Sequence, residues 1–295
     1  MHDIDNEMLI KSYILCLFSY LIALFTAFII LIMLIFYPPL LALLIADLSA
    51  TLVIFLIGTL YKNASFYDPY WSVFPLFIAL FWIIRSGGLE LSFTRQLVVL
   101  ILVFIWSVRL TYNWIRQWKG IKHEDWRYSN LRVEKGKMFW LVNLIGIHFM
   151  PTILVFLGSL SLYPSLGTIA NPFNFIDIIA TLITFNAITI ETIADQQLNK
   201  FIKTRQDKEQ IIHRGLWKYS RHPNYFGEIL FWCGLYLFAL ASDISYWWMI
   251  IGPIFIIIMF LVVSIPLMEE KMLKKPSYAT YKNKVSRLIP WPSRD

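Results

Sequence analysis

Charge is scarce in this sequence. Asp, Glu, Lys and Arg make up 15% of the 295 residues, against about 25% in ordinary soluble domains. That shortage excludes a water-soluble fold for most of the chain. Cysteine is scarcer still. Cys16 and Cys233 both lie in apolar runs, so neither a disulfide framework nor a thiolate zinc site is expected. No HExxH and no pair of histidines at metal spacing occurs, which argues against a catalytic metal. No GxGxxG follows a strand pattern, so a soluble dinucleotide fold lacks its fingerprint. A cleavable signal peptide is not expected either: the start is acidic (Asp3, Asp5, Glu7) and the first apolar run is too long for an h-region.

What remains is apolar and aromatic. Hydrophobic residues account for 58% of the chain and aromatics for 17%, and they gather in runs of about 20 residues, the length that crosses a bilayer. Eight such spans fall near 12–36, 39–60, 70–85, 96–115, 138–161, 174–197, 224–241 and 246–266. Pro38-Pro39 separates the first two, and the third is short enough to be tilted or re-entrant. The expected fold is therefore all-α, a polytopic membrane bundle of seven to eight helices in a single integral-membrane domain over 1–295.

The positive charge is unevenly spread. Most of the 26 Lys and Arg residues lie in 116–137, 199–223 and 267–295, segments that follow spans four, six and eight. Interleaved with apolar spans, they read as cytoplasmic loops rather than as a nucleic-acid surface. An even number of spans puts both termini on one side, so N and C termini are expected in the cytoplasm. Basic loops there suit membrane lipid or an anionic cofactor.

The densest chemistry lies in 213–234, where a basic aromatic loop runs through Arg221-His-Pro223 into an apolar helix. Pro223 fits a first helical turn, where its missing N–H costs nothing. Asn224 and Glu228 then share one helix face. Arg214, Lys218 and Arg221 stand just before a helix start, which itself favours anions. The loop thus suits a phosphorylated or otherwise anionic molecule at a membrane surface, with Glu228 inside the membrane.

Charges in hydrocarbon are costly, so each is a functional candidate. The set is Asp47, Asp68, Arg109, Glu191, Asp195 and Glu228, with Asp177 near a span end. Glu191 and Asp195, four apart, either snorkel at the end of span six or face Asn224 and Glu228 around a bound molecule. Asp68, in Tyr67-Asp-Pro-Tyr-Trp71, either caps a helix or serves as a proton donor at the bundle mouth. Tyr112 follows Arg109 by one turn in span four. In the loop His123-Glu-Asp-Trp-Arg-Tyr128, Arg127 either grips a phosphate or pairs with Glu124 or Asp125. His148 is expected to be packed and hydrogen-bonded. Residues 269–291 read as an amphipathic tail that anchors at the surface or closes Tyr278 and Tyr281 over the Arg-His-Pro loop.

Taken in order, Glu124-Asp-Trp-Arg-Tyr128, Glu191 with Asp195, Gly215-Leu-Trp-Lys-Tyr-Ser-Arg-His-Pro-Asn-Tyr-Phe-Gly-Glu228 and Tyr278…Tyr281…Ile289-Pro-Trp291 resemble the steroid 5-alpha-reductase superfamily, nearest its bacterial branch. Sterol reductases and isoprenylcysteine carboxyl methyltransferases are related to it. The resemblance covers roughly 60–295.

It implies an NADPH-dependent membrane enzyme that reduces a carbon–carbon double bond conjugated to a carbonyl in a steroid- or lipid-like substrate. Residues 1–115 would form the substrate side and 116–295 the cofactor part. Asn224, Glu228 and Asp195 would hold the nicotinamide end, with Glu191 beside them. The loop with Arg214, Lys218, Tyr219, Arg221 and His222, together with Tyr225, Arg127, Tyr278 and Tyr281, would cover the rest of the cofactor. Asp68 or Tyr112 would polarise the substrate carbonyl. The superfamily's partner Tyr to that acid is missing here, where Trp106 or Arg109 falls nearest. Pro266 and Glu270 replace an Arg and a His.

Two other readings stand beside the reductase. Arg221-His-Pro-Asn-Tyr225 and Glu269-Glu270 also fit an S-adenosylmethionine-dependent methyltransferase, and a non-catalytic lipid-binding protein would need neither cofactor. The expected partners are a lipophilic small molecule and membrane lipid. A monomer in a bacterial inner membrane, or in the endoplasmic reticulum, is the expected setting.

Overall fold

The computed structural model describes residues 2–88, 92–168 and 171–293. Its regular structure is helical, with no named strand among those residues. Eight helical spans are long and apolar enough to cross a membrane: Glu7–Met33, Pro39–Leu60, Ala64–Arg85, Phe93–Gln117, Trp126–Ser159, Phe175–Thr204, Pro223–Ser242 and Ile244–Leu273. The chain is a multi-pass membrane protein. The expected number of spans holds, but boundaries move, and three of the shifts bear on named residues. Span three is no short segment: it opens with a 3₁₀ turn, Ala64–Tyr67, capped by the Asn63 side chain accepting from Ser65 N–H. Span five begins twelve residues early because the 126–135 stretch is helical, capped by Asp125. Span eight runs on to Leu273, which puts Glu269 and Glu270 on its last turns.

Two spans contain wide turns with a legible cause. The π segments Asn143–Phe149 and Phe260–Ser264 each end two residues before a proline, Pro151 and Pro266. A proline inside a helix cannot donate to the carbonyl four residues back and crowds it. A local widening absorbs that defect.

By contacts the chain forms two compact units. The first comprises residues 1–78 and 107–156. Its first two spans pack together, and the outer face of span one presents Ile14, Leu17, Phe18, Leu21, Phe25 and Phe28, as a helix facing lipid should. Its interior is polar in places. Tyr20 Oη donates to the Phe66 carbonyl at 2.8 Å, and Ser107 Oγ donates to the Ser72 carbonyl at 2.6 Å.

The second unit comprises 79–106 and 157–295. Its centre is span seven, in whose apolar 18-residue stretch 61% of the residues are buried, against 28% in the corresponding stretches of spans four and eight. Spans six and seven lie against each other because span seven carries glycine where they meet. A Cβ on Gly234 would fall 2.1 Å from Thr184 Oγ1, and one on Gly227 would fall 2.8 Å from the Ala187 carbonyl. Small residues at such points let helix backbones approach in a membrane. At the Asn174 end of span six, Arg95 forms a fully buried bidentate pair with Asp177 at 2.7 Å through both carboxylate oxygens. Asp177 also closes the Asn174 capping box. Removing one partner of such a pair costs about 3–5 kcal/mol.

Candidate functional site

The second unit gathers most of the expected cofactor residues at the start of span seven. Pro223 occupies the first turn and His222 the cap position, as its missing N–H allows. Asn224 Nδ2 donates to Asp195 Oδ1 at 3.2 Å, joining span seven to span six. One turn deeper, Glu228 is buried and accepts two indole N–H bonds: Trp106 Nε1 to Oε2 at 3.0 Å and Trp232 Nε1 to Oε1 at 2.9 Å. Trp106 is itself fully buried, stacked on Phe231 with centroids 4.3 Å apart. Glu191 is buried where Gly227 brings the two helices together. Asp195, Asn224, Glu228 and Glu191 thus form one acidic, amide-bearing face.

Above that face, the Arg-His-Pro loop is clamped by the tail. Arg221 N–H donates to the Ser286 carbonyl and Trp291 N–H to the Tyr219 carbonyl, both at 2.9 Å. Ser220 Oγ donates to the Leu288 carbonyl at 2.7 Å, and Ser220 and Ser286 form an isolated parallel bridge. Arg221, 8% exposed, pairs with Glu269 at 2.8 Å, and its Nη1 also donates to the Lys282 and Val285 carbonyls. Lys282 lies 3.5 Å from the other Glu269 oxygen. His222 stacks on Tyr225 with centroids 5.3 Å apart and lies 3.5 Å from Glu269. Burial pushes the His222 imidazole below its ordinary range, and Glu269 opposes that shift. Tyr278 and Tyr281 pack with Val285, Ile211 and Met272. Tyr281 Oη donates to the Trp217 carbonyl at 2.6 Å. These two tyrosines therefore bind the tail to the loop. Arg214, Lys218 and Tyr219 stay exposed, with Lys218 5.9 Å from the Tyr219 ring centroid.

The first unit holds a separate, half-buried polar cluster. Asp68 lies inside span three, and Tyr128 Oη donates to its Oδ1 at 2.6 Å. Of the two expectations for Arg127, a phosphate or a neighbouring carboxylate, the structure shows the second: it grips Asp125 through Nε at 2.8 Å and Nη2 at 3.3 Å. Glu124 pairs with Arg132 at 2.6 Å and accepts the Ala64 N–H, so the 124–132 segment is tied to the start of span three. Tyr112 departs from expectation too. It is 57% exposed with Arg116 over its ring at 5.4 Å, because the 107–117 helix turns it away from the buried side. The phenol that meets Asp68 belongs to Tyr128. Deeper in the unit, Tyr70 donates to Asp47 Oδ1 at 2.7 Å, and Tyr67, Thr152 and Thr51 form a hydroxyl chain at 2.8 Å per link. His148 is packed and hydrogen-bonded, as expected, with Nδ1 2.9 Å from the Asn143 carbonyl.

Sequence reasoning passed over Tyr128, Trp232, Arg95 and the role of Glu269. Trp232 was legible, since it sits four residues after Glu228 on the same helix face. Tyr128 and Arg95 were not, because their partners lie 60 and 82 residues away in sequence.

Residues 54–285 match the family described as protein of unknown function (DUF1295), and the chain belongs to that family. It is also 28% identical over 254 residues to an uncharacterized protein of Schizosaccharomyces pombe, covering 78% of this chain and 73% of the relative. No solved structure matches it significantly.

Proposed function

We propose that the protein is a membrane reductase of the steroid 5-alpha-reductase superfamily, using NADPH to reduce a carbon–carbon double bond conjugated to a carbonyl in a lipid-like substrate. The observation that carries this reading is the half-buried acid–phenol pair, Tyr128 Oη on Asp68 Oδ1 at 2.6 Å. A conjugate reduction needs a proton source at the substrate oxygen, whereas methyl transfer and lipid binding do not.

The donor set in the second unit suits NADPH. The carboxylates of Asp195 and Glu228, with the Asn224 amide between them in sequence, are of the type that recognises a nicotinamide carboxamide. The exposed Arg214 and Lys218, with Arg221 behind them, suit phosphate. When bound, the cofactor supplies a hydride, and the hydride chemistry is its own. This chain orients and protonates. With Oδ1 held by the Tyr128 phenol, Asp68 Oδ2 is the oxygen that would carry the proton for a substrate carbonyl. A conjugate reduction would add one hydride from the cofactor and one proton from this chain, giving the saturated ketone and the oxidised cofactor. Stabilising the charge that develops on the carbonyl oxygen is the main way such a site lowers the barrier.

The rival methyltransferase rested on Glu269-Glu270. Glu269 has a sufficient role holding Arg221 and Lys282, which leaves that pair without need of methyl chemistry. The deciding experiment is binding to detergent-purified protein of NADPH, NADH and S-adenosylmethionine, followed by enone turnover with Tyr128→Phe and Asp68→Asn. NADPH binding that survives both substitutions, with turnover reduced at least 100-fold in Asp68→Asn, is the expected result. Binding of S-adenosylmethionine alone would replace the reductase with a methyltransferase. Binding of none of the three would leave a lipid-binding protein.

A further inference from the structure

The tail that clamps the Arg-His-Pro loop encloses a concavity of its own. A pocket of about 310 Å³ is lined by Arg221, Lys282, Lys284, Arg287 and Trp291, with Asn283, Val285, Ser286 and Pro292 completing the wall. Four of these nine residues are cationic and none is acidic. Within the second unit Glu269 is the carboxylate that partners Arg221 and Lys282, and it does not line the pocket. Lys284 and Arg287 have no ion pair among the described contacts, and Arg287 spends one N–H on the Leu261 carbonyl at 3.1 Å. Arg221 lines the pocket with a buried Nε that finds no hydrogen-bond partner among the described residues. A buried guanidinium N–H without an acceptor costs free energy, and an acceptor supplied by a ligand removes that cost.

The pocket is also built rigidly. Its wall from 282 to 291 is fixed by the backbone bonds at Ser286 and Trp291 and by Ser220 on the Leu288 carbonyl. A backbone fixed in this way sets where the exposed Lys284 and Arg287 side chains start, so less freedom is lost on closing over an anion than from a mobile loop. Trp291 adds a flat, exposed indole at the rim.

We propose that this tail pocket is a phosphate-binding subsite, formed by Arg221, Lys282, Lys284 and Arg287. Arginine forks and lysine point charges match the oxygens of a phosphate group. The pocket size admits one phosphate and part of what carries it. Two sources present that chemistry at a cytoplasmic membrane face: the phosphates of an adenine nucleotide, and the headgroup of an anionic phospholipid. The subsite shares Arg221 with the proposed cofactor loop but uses nothing of the Asp68–Tyr128 pair, so it can stand whether or not the protein is a reductase.

The test uses the full chain in nanodiscs of neutral phosphatidylcholine, with the double variant Lys284→Ala/Arg287→Ala and the conservative Lys284→Arg/Arg287→Lys beside it. One arm titrates adenosine 2′,5′-bisphosphate and, for comparison, adenosine. The other measures retention of phosphatidylglycerol by native mass spectrometry after purification from mixed vesicles. Each cation near a phosphate contributes about fivefold in affinity, so the double alanine variant should weaken one arm about 25-fold, and the conservative variant should retain it. Loss confined to the bisphosphate arm identifies a nucleotide subsite, and loss confined to the phosphatidylglycerol arm a headgroup subsite. Unchanged binding in both arms, in a variant whose thermal midpoint equals that of the parent, overturns the proposal. So does wild-type protein that binds neither probe.

Discussion

Replacing Glu228 by Gln should destabilise the protein with no ligand present. The carboxylate takes Trp106 Nε1–H on one oxygen at 3.0 Å and Trp232 Nε1–H on the other at 2.9 Å, in surroundings where both indoles are fully buried. A glutamine amide offers one oxygen. Its NH₂ must then face the second indole N–H, two donors head to head with no water to separate them. One hydrogen bond to a charged acceptor is lost, worth about 1.5–3 kcal/mol, and a buried donor is left unsatisfied at a further cost of about 1 kcal/mol or more. A total near 3 kcal/mol corresponds to a midpoint lower by roughly 6–10 °C at the few degrees per kcal/mol typical of proteins this large. The assay is thermal unfolding of ligand-free protein in one detergent at one scan rate, since such unfolding is generally irreversible.

Trp232→Phe supplies the control for that substitution. It removes the donor that the glutamine NH₂ would oppose. Glu228→Gln with Trp232→Phe should therefore be more stable than the sum of the single effects by about 1–2 kcal/mol, the coupling expected of residues in direct contact. Additivity within about 0.5 kcal/mol would refute the reasoning. So would a Glu228→Gln midpoint equal to the parent's, since the carboxylate would then not be held by the indoles.

Two further expectations follow from packing and protonation. Gly234→Ala drives a methyl group into Thr184 and should cost about 1–3 kcal/mol by overpacking. Gly146→Ala meets nothing closer than 3.9 Å and should leave the midpoint unchanged or higher in the same unfolding assay. His222, held below its ordinary range by burial, stays neutral in the fold. As pH falls through about 6.5 the unfolded chain takes up that proton first, so the stability His222 contributes is complete above that value and is lost below it. Glu269 opposes the loss, and Arg221 and Arg287 reinforce it. The midpoint difference between pH 7.5 and pH 5.5 should shrink in His222→Gln, and an unchanged difference would show that other groups govern the acid limb.

Hydrophobicity alone determined how many times the chain crosses, because hydrocarbon admits only helices that satisfy their own backbone over about 20 residues. The eight spans, the Pro223 helix start and the shared face of Asn224 and Glu228 were legible for that reason, being local patterns of period and cap. The prolines behind the two wide turns could be read the same way. What could not be read was any pairing across spans. Tyr112 and Tyr128 are both plausible phenols in the sequence, and only the fold turns one outward beneath Arg116 and brings the other to Asp68. Arg127 chose its neighbour Asp125, and Glu269 found Arg221 48 residues upstream. Those partnerships depend on which faces meet in three dimensions. Helical periodicity fixes the face a residue occupies, but tertiary packing alone decides which other face it meets.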